Sequence, residues 1–377
     1  MNPEKYNIDP ETLQQWLAEG RRVMILDIRK TVDRAEWWIP GSIHVDAYEA
    51  LKAGDSTALA NIELPEGIPV VTVCGIGKIA QIAAQQLQAR GIQAIPLAGG
   101  MKGWSHAWNI ADVITIDPFI QIVQFRRTGK GCLSYLIASH QQAAVLDPSL
   151  EPENYLQVAE SRGWRIIRIL ETHIHADHLS RGRQLAKAAD AELRLPWQNQ
   201  ASGPLDAIHN SDRITIGSIA IEPIPTPGHT AESTSYLIES QGSFNGHFLF
   251  TGDTLFVTGV GRPDIGTEES GAHDRASMLY HSLRRLLSLE PSTLVLPGHH
   301  NQPIEFDGQP IAVTLGELKA KLPPLAQPEP AFIEWILACI PATPPNYLRI
   351  AQLNKDGIFP DGDPTDMEAG GNRCAVS

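Results

Sequence analysis

The sequence predicts an α/β domain with a largely parallel sheet flanked by helices, followed by an α+β domain of two sheets covered by helices. Three observations carry this. Strand-like apolar runs alternate with helical periods through the first 112 residues, the pattern of a parallel layer. Beyond residue 113, a meander of short strand signals leads into strands and helices in both halves of a second unit. Between those halves, ETHIHADHLS (171–180) packs His173, His175, Asp177 and His178 into six positions directly behind the apolar run WRIIRIL (164–170). Imidazoles and carboxylates crowded at a strand-to-helix turn are costly to leave unpaired, and one or two cations would satisfy them.

Taken in order, Asp9 is placed to cap a helix over PETLQQWLAE, with Pro10 at its first position and Gly20 just past its end. RVMILDI, VVTVC (70–74) and IQAIPLAG (92–99) read as strands, with a helix over GKIAQIAAQQLQARG between the last two. Cys74 therefore falls at the end of a buried-type strand, just before a helix N-terminus. There the loop CGIGK can turn successive backbone N–H groups inward, those of Gly75 and Gly77 among them. The helix dipole and Lys78 add positive potential, and all three effects favour a thiolate.

WNIADVITIDPFI (108–120) has no helical period and reads as the linker, with the domain boundary near residue 113. FIQIVQFRR, CLSYLIAS and AAVLDPS open the second domain, 114–302, as a meander that turns at GKG (129–131). A helix over EPENYLQVAESRGW precedes the histidine motif, and a second is expected from Asp177 to residue 190. Strand signals return at LRLP, DRITIG, IAIEPIP, TSYLIES and HFLFTGD, and a helix over ASMLYHSLRRLLSL precedes STLVLPGHH. Residues 303–377 hold the helical pieces GELKAKL and FIEWILACI, proline-rich turns, and a tail expected to be flexible with Cys374 exposed.

Three further ligand candidates each close an apolar run at a glycine: His229 in IPTPGHTAES, Asp253 in FLFTGDTLF and His299 in LVLPGHHNQ. A lone Asp or His at a strand end is more often a turn or cap residue. Several after separate strands are what a metal cleft between two sheets requires. His44, His106, His140, His209, His247, His273 and His281 lack that context and read as surface or packing residues.

Composition bounds the rest. The 377 residues suffice for two cores and an appendage, and 42% hydrophobic with 19% charged residues is ordinary for a globular chain. A net charge of −13 argues against a nucleic-acid-binding surface. No apolar run reaches a membrane span, and the N-terminus shows no basic-then-apolar signal. The four cysteines, Cys74, Cys132, Cys339 and Cys374, match no disulfide framework. A reducing, cytoplasmic setting is expected; assembly as a homo-oligomer is left open.

Two resemblances follow from quoted residues. LDIR (26–29), EWWIPGSIHV (36–45), VCGIGK (73–78) and LAGGMKGW (97–104) succeed one another as in single-domain rhodaneses. The resemblance implies that Cys74 carries sulfane sulfur as a persulfide, in a loop that holds Ile79 where the family commonly has Arg. The His-x-His-x-Asp-His motif, with downstream Gly-His, Gly-Asp and Gly-His, resembles the metallo-β-lactamase superfamily. That resemblance implies the αββα sandwich, a first metal site of His173, His175, His229 and Asp253, and a second of Asp177, His178, His299 and bridging Asp253.

GDTLFVTGVGRPD (252–264) looks like the persulfide dioxygenase branch. By that resemblance one Fe(II) per chain is held by His173, His229 and Asp253, while His175, Asp177, His178 and His299 orient ligands and move protons. Arg262 is then a natural partner for a carboxylate of glutathione, the expected small-thiol carrier. A dinuclear zinc thioester hydrolase of the glyoxalase II kind is the main alternative. A sulfur-relay or sensing protein, whose rhodanese domain no longer turns over, is another.

Overall fold

The computed structural model describes residues 7–196, 207–208, 213–239, 246–266 and 269–376; His209 lies outside them. The first sheet is parallel throughout, in the order Ile43–His44, Met24–Asp27, Val70–Val73, Ala94–Pro96. Its side chains alternate between two faces, as strand geometry requires. Leu26 and Val70 join Ala80, Ala83 and Leu87 of the helix Lys78–Ala89 on one face. Ile25, Val71 and Val73 join Leu13 and Trp104 on the other. Asp9 caps the helix Pro10–Ala18 as expected, accepting from Thr12 N–H at 2.6 Å.

The second domain stacks two sheets. One runs Ala207–Ile208, Glu192–Pro196, Arg165–Leu170, Gln142–Leu146, Leu133–Ser139, Gln121–Arg126, Asn109–Val113. The other runs Ile214–Ile216, Ile219–Pro225, Thr234–Glu239, His247–Gly252, Leu294–Pro297, Val313–Thr314. Between them lies an apolar layer that includes Ile122, Tyr135, Ile137, Tyr236, Ile238 and Phe250. Helices Pro152–Ser161 and Gly182–Ala189 cover the outer face of the first sheet through Tyr155, Ala159 and Leu185. Glu269–Leu286 and Glu329–Ala338 cover the second. This is the αββα sandwich.

Three expectations need correction. The boundary at 113 falls too late, because Asn109–Val113 already pairs antiparallel with Ile122–Arg126 as the edge strand of the second domain. The helix expected from Asp177 starts at Gly182. Residues 177–181 stay open because groups that a helix would pair are claimed elsewhere: Arg181 N–H donates to Pro148 O at 2.9 Å, and His178 O accepts from Asn354 Nδ2 at 2.8 Å. The tail is held, not flexible. Ala375–Val376 pairs with Val260–Gly261, and Cys374 is fully buried.

The two domains touch along a polar seam. Trp37 Nε1–H donates to Thr128 O at 3.0 Å, and Arg127 Nε–H to Ser105 O at 2.9 Å. The C-terminal segment bridges them, with His106 Nε2 2.6 Å from Thr365 Oγ1 and Lys102 Nζ 2.5 Å from Asp366 Oδ1.

Candidate metal centre

Each ligand candidate is delivered by a strand end. His173 follows Arg165–Leu170, His229 follows Ile219–Pro225, Asp253 follows His247–Gly252, and His299 follows Leu294–Pro297. The glycines are required by space. Gly252 sits at φ +50, where a Cβ would lie 2.5 Å from Thr172 Oγ1; at Gly298 a Cβ would lie 2.8 Å from Asp253 Oδ1. The two sheets are stitched beside the site by Leu133 N–H to Gly298 O, 2.8 Å.

All seven expected metal residues are at most 3% exposed and converge. His173, His229 and Asp253 form one group whose donor atoms lie within 4.8 Å of one another. His173 Nε2 and His229 Nε2 are 3.7 and 3.5 Å from Asp253 Oδ2, and all three atoms are buried without a hydrogen-bond partner among the described residues. Buried polar atoms are rarely left so. Their tautomers are set from behind. Thr172 Oγ1–H donates to Asp147 Oδ2, so the hydroxyl accepts from His173 Nδ1–H at 2.8 Å. His229 Nδ1–H donates to Arg262 O at 2.8 Å. Both Nε2 lone pairs are thereby left facing Asp253, which is what metal-bound imidazoles need.

The remaining four behave differently. His175 turns Nε2 onto Asp147 Oδ1 and Glu171 Oε2, 3.2 Å each, leaving Nδ1 buried and, among the described residues, without a hydrogen-bond partner. His299 Nδ1 lies 2.5 Å from Asp253 Oδ1, and its Nε2 lies 2.9 Å from Asp177 Oδ2. His178 Nδ1 contacts Asp177 Oδ1 at 3.1 Å, and its Nε2 has no hydrogen-bond partner among the described residues. Burial pushes His173 and His229 down, which keeps them neutral, the ligating form. Burial would raise the Asp253 carboxyl, but His299 and His173 beside it hold it well below the usual carboxylate range.

Sequence reasoning missed five residues. Asp147, at φ +53, follows the apolar strand Gln142–Leu146 directly, with no glycine before it to mark it as Asp253 is marked. Glu171 opens the motif itself. Cys132, Asn354 and Glu368 gave no local signal. Asn354 Nδ2 donates to the carbonyls of His175 and His178, 2.8 Å each, and so braces the motif loop. Cys132 Sγ lies 3.2 Å from Asp177 Oδ2. Burial and the Asp177 charge favour its thiol form, but His178 and His299 outweigh them and bring it down to about 7.

Arg262 is not available to a substrate carboxylate. Its guanidinium is 0% exposed and donates to both carboxylate oxygens of Asp264, to Thr343 Oγ1 and to Arg373 O. A cleft reaches the centre from another side, floored by Glu171, His173 and His175 and rimmed by Arg183, Lys355 and Phe359. In the first domain Cys74 is 1% exposed, and its Sγ accepts from Ala80 N–H at 3.4 Å. Gly75 and Gly77 form the turn, Gly77 with φ +87, and Lys78 points to solvent, making no ion pair among the described residues.

Residues 127–299 match the family model of the metallo-beta-lactamase superfamily, and residues 9–107 match that of the rhodanese-like domain. The chain joins a rhodanese-like domain to a metallo-beta-lactamase superfamily domain. The metallo-beta-lactamase domain is similar to hydroxyacylglutathione hydrolases from Rhodospirillum rubrum (34% identical over 50% of this chain and 64% of the relative) and Methylobacillus flagellatus (32%, 44% and 60%). The chain thus spans under two thirds of those relatives' length. Among solved structures it resembles a metallo-beta-lactamase from Staphylococcus aureus (TM-score 0.58, 27% identity, 64% of this chain and 73% of the other). It also resembles ETHE1 from Myxococcus xanthus (TM-score 0.52, 27%, 62% and 97%). No helix among the described residues is long and apolar enough to cross a membrane.

Proposed function

We propose that the chain is a persulfide dioxygenase that oxidises glutathione persulfide, or a similar small persulfide, to sulfite, coupled to a rhodanese-like domain that passes sulfane sulfur through Cys74. The observation that carries this is the set of three orphaned donors, His173 Nε2, His229 Nε2 and Asp253 Oδ2, which together make two imidazoles and one carboxylate on one face. Such a set suits Fe(II) and leaves positions open. The Gly-Arg-Pro-Asp loop after Asp253 and the likeness to ETHE1 support the same reading. Bound Fe(II) supplies the redox chemistry between O₂ and the persulfide sulfur; water contributes the third oxygen of sulfite, and the thiol leaves.

The chain's own residues then have definable tasks. Thr172 and the carbonyl of Arg262 hold the two imidazoles in the ligating tautomer. His299 and Asp177, 2.9 Å apart, are placed to hold a proton beside Asp253. The buried setting limits water, and the cleft rimmed by Arg183 offers a cation to a carboxylate of glutathione.

The hydroxyacylglutathione hydrolases favour a second reading, a dinuclear zinc thioester hydrolase with a metal-bound hydroxide. Metal analysis of protein purified without added metal separates the two. Iron near one per chain, with sulfite formed from glutathione persulfide, fits the first; zinc without iron, with thioester cleavage, fits the second.

A further inference from the structure

Trp37 belongs to the rhodanese-like domain, yet its indole is buried between two backbone segments of the other domain. On one side runs the turn at Gly131, where an added Cβ would lie 2.9 Å from Trp37 Cη2. On the other runs the C-terminal segment at Gly371, where an added Cβ would lie 2.6 Å from Trp37 Cε3. Glycine is what lets both backbones reach the ring. Trp37 Nε1–H donates to Thr128 O at 3.0 Å, which ties the ring nitrogen. Asn372 N–H donates to Lys130 O at 3.1 Å, which ties the two walls of the slot to each other.

Each wall leads to an imidazole of the metal centre. His300 N–H donates to Gly131 O at 2.9 Å and Leu133 N–H to Gly298 O at 2.8 Å, so the first wall holds the backbone on both sides of His299. The second wall continues into Arg373 and Cys374. Their carbonyls accept from Arg262, at 3.2 Å from Nη1 and at 2.9 Å from its backbone N–H. Arg262 O is in turn the acceptor of His229 Nδ1–H, at 2.8 Å.

We propose that Trp37 is a positioning residue for the metal centre: docked in this slot, the indole of the rhodanese-like domain sets the spacing of the two segments that hold His229 and His299. Taking the ring away leaves a cavity that its walls can partly close. Closing it draws the carbonyl of Arg262 off His229 Nδ1–H and shifts His299 against Asp253. The centre is complete only while the rhodanese-like domain is docked, so the docking of one domain governs the metal affinity of the other. The inference rests on the reading of His229 as a metal ligand, and it holds for iron and zinc alike.

The test compares the full chain with its Trp37→Ala and Trp37→Phe variants, by Co(II) titration and by hydrogen exchange of the metal-free proteins. Trp37→Ala should bind Co(II) about 10-fold more weakly, with shifted ligand-field bands, and Trp37→Phe should recover most of the loss. Without metal, Trp37→Ala should speed exchange at the Arg262 and His300 amides and leave Ile137, inside the strand Leu133–Ser139, at the parent rate. Gly371→Ala, which would push one wall off the ring, should speed exchange at Arg262 and spare His300. Unchanged affinity and spectrum in Trp37→Ala overturn the proposal. Exchange that rises evenly across the domain, the mark of simple destabilisation, overturns it as well. A parent chain that binds no Co(II) would count against the metal reading instead, and the Arg262 and His300 amides would still decide the role of Trp37.

Discussion

The carboxylate of Glu368 accepts a hydrogen bond from the backbone N–H of Leu179 at 2.8 Å, so the C-terminal segment grips the residue that follows the histidine motif. The same carboxylate pairs with Arg181 and, at 2.8 Å, with Arg127, and all three side chains are at most 1% exposed. Removing one partner of a buried ion pair strands the others. Glu368→Ala is expected to destabilise the metallo-beta-lactamase domain by about 3–5 kcal/mol, read in chemical denaturation of the metal-free protein. A loss below about 1 kcal/mol would show that the triad is wetter than its burial implies.

Thr172 is the residue that turns His173 Nε2 toward Asp253, through Nδ1–H to its hydroxyl and from the hydroxyl to Asp147. Thr172→Val keeps the shape and removes the acceptor. First-site metal affinity should fall by about 10- to 100-fold, while Thr172→Ser stays near the parent. Equal affinities in a competition titration would refute this role.

His106 sits at the domain seam against Thr365, where burial and then Arg127 lower it from 6.5 to about 4. Between those values the unfolded chain binds a proton that the folded chain does not. Its contribution is therefore complete above about 6.5 and is lost as pH falls toward about 4. Thermal melting of His106→Gln should lose less stability across that interval than the parent does; parallel profiles would contradict the assignment.

Arg262 is a structural residue on the geometry above, with Asp264, Thr343 and Arg373 as its partners. Arg262→Lys should lower the melting temperature and leave KM for glutathione persulfide unchanged. A raised KM with unchanged stability would restore the carboxylate-binding role that its place in the sequence suggests.

The line between what could and could not be read in sequence is physical. Strands that end in Gly-His or Gly-Asp announce themselves, because the apolar run, the glycine and the ligand are consecutive; His229, Asp253 and His299 were legible for that reason. The cap at Asp9 was legible because capping is local. Asn354 and Glu368 were not, since their partners lie more than 170 residues away and neither sits in a motif. The late start of the helix at Gly182 has the same origin, as distant partners took the N–H of Arg181 and the carbonyl of His178. Arg262 misled because a loop arginine after a metal ligand resembles a substrate anchor until its partners are seen. Cys374 misled because a polar, glycine-rich tail gave no hint of the strand Ala375–Val376 that buries it.

Oxygen uptake tests the central claim most directly. Protein purified without added metal, given glutathione persulfide, should consume O₂ in proportion to the sulfite formed, and His229→Ala should abolish both. Zinc-loaded protein that cleaves a glutathione thioester and takes up no O₂ with the persulfide would contradict it.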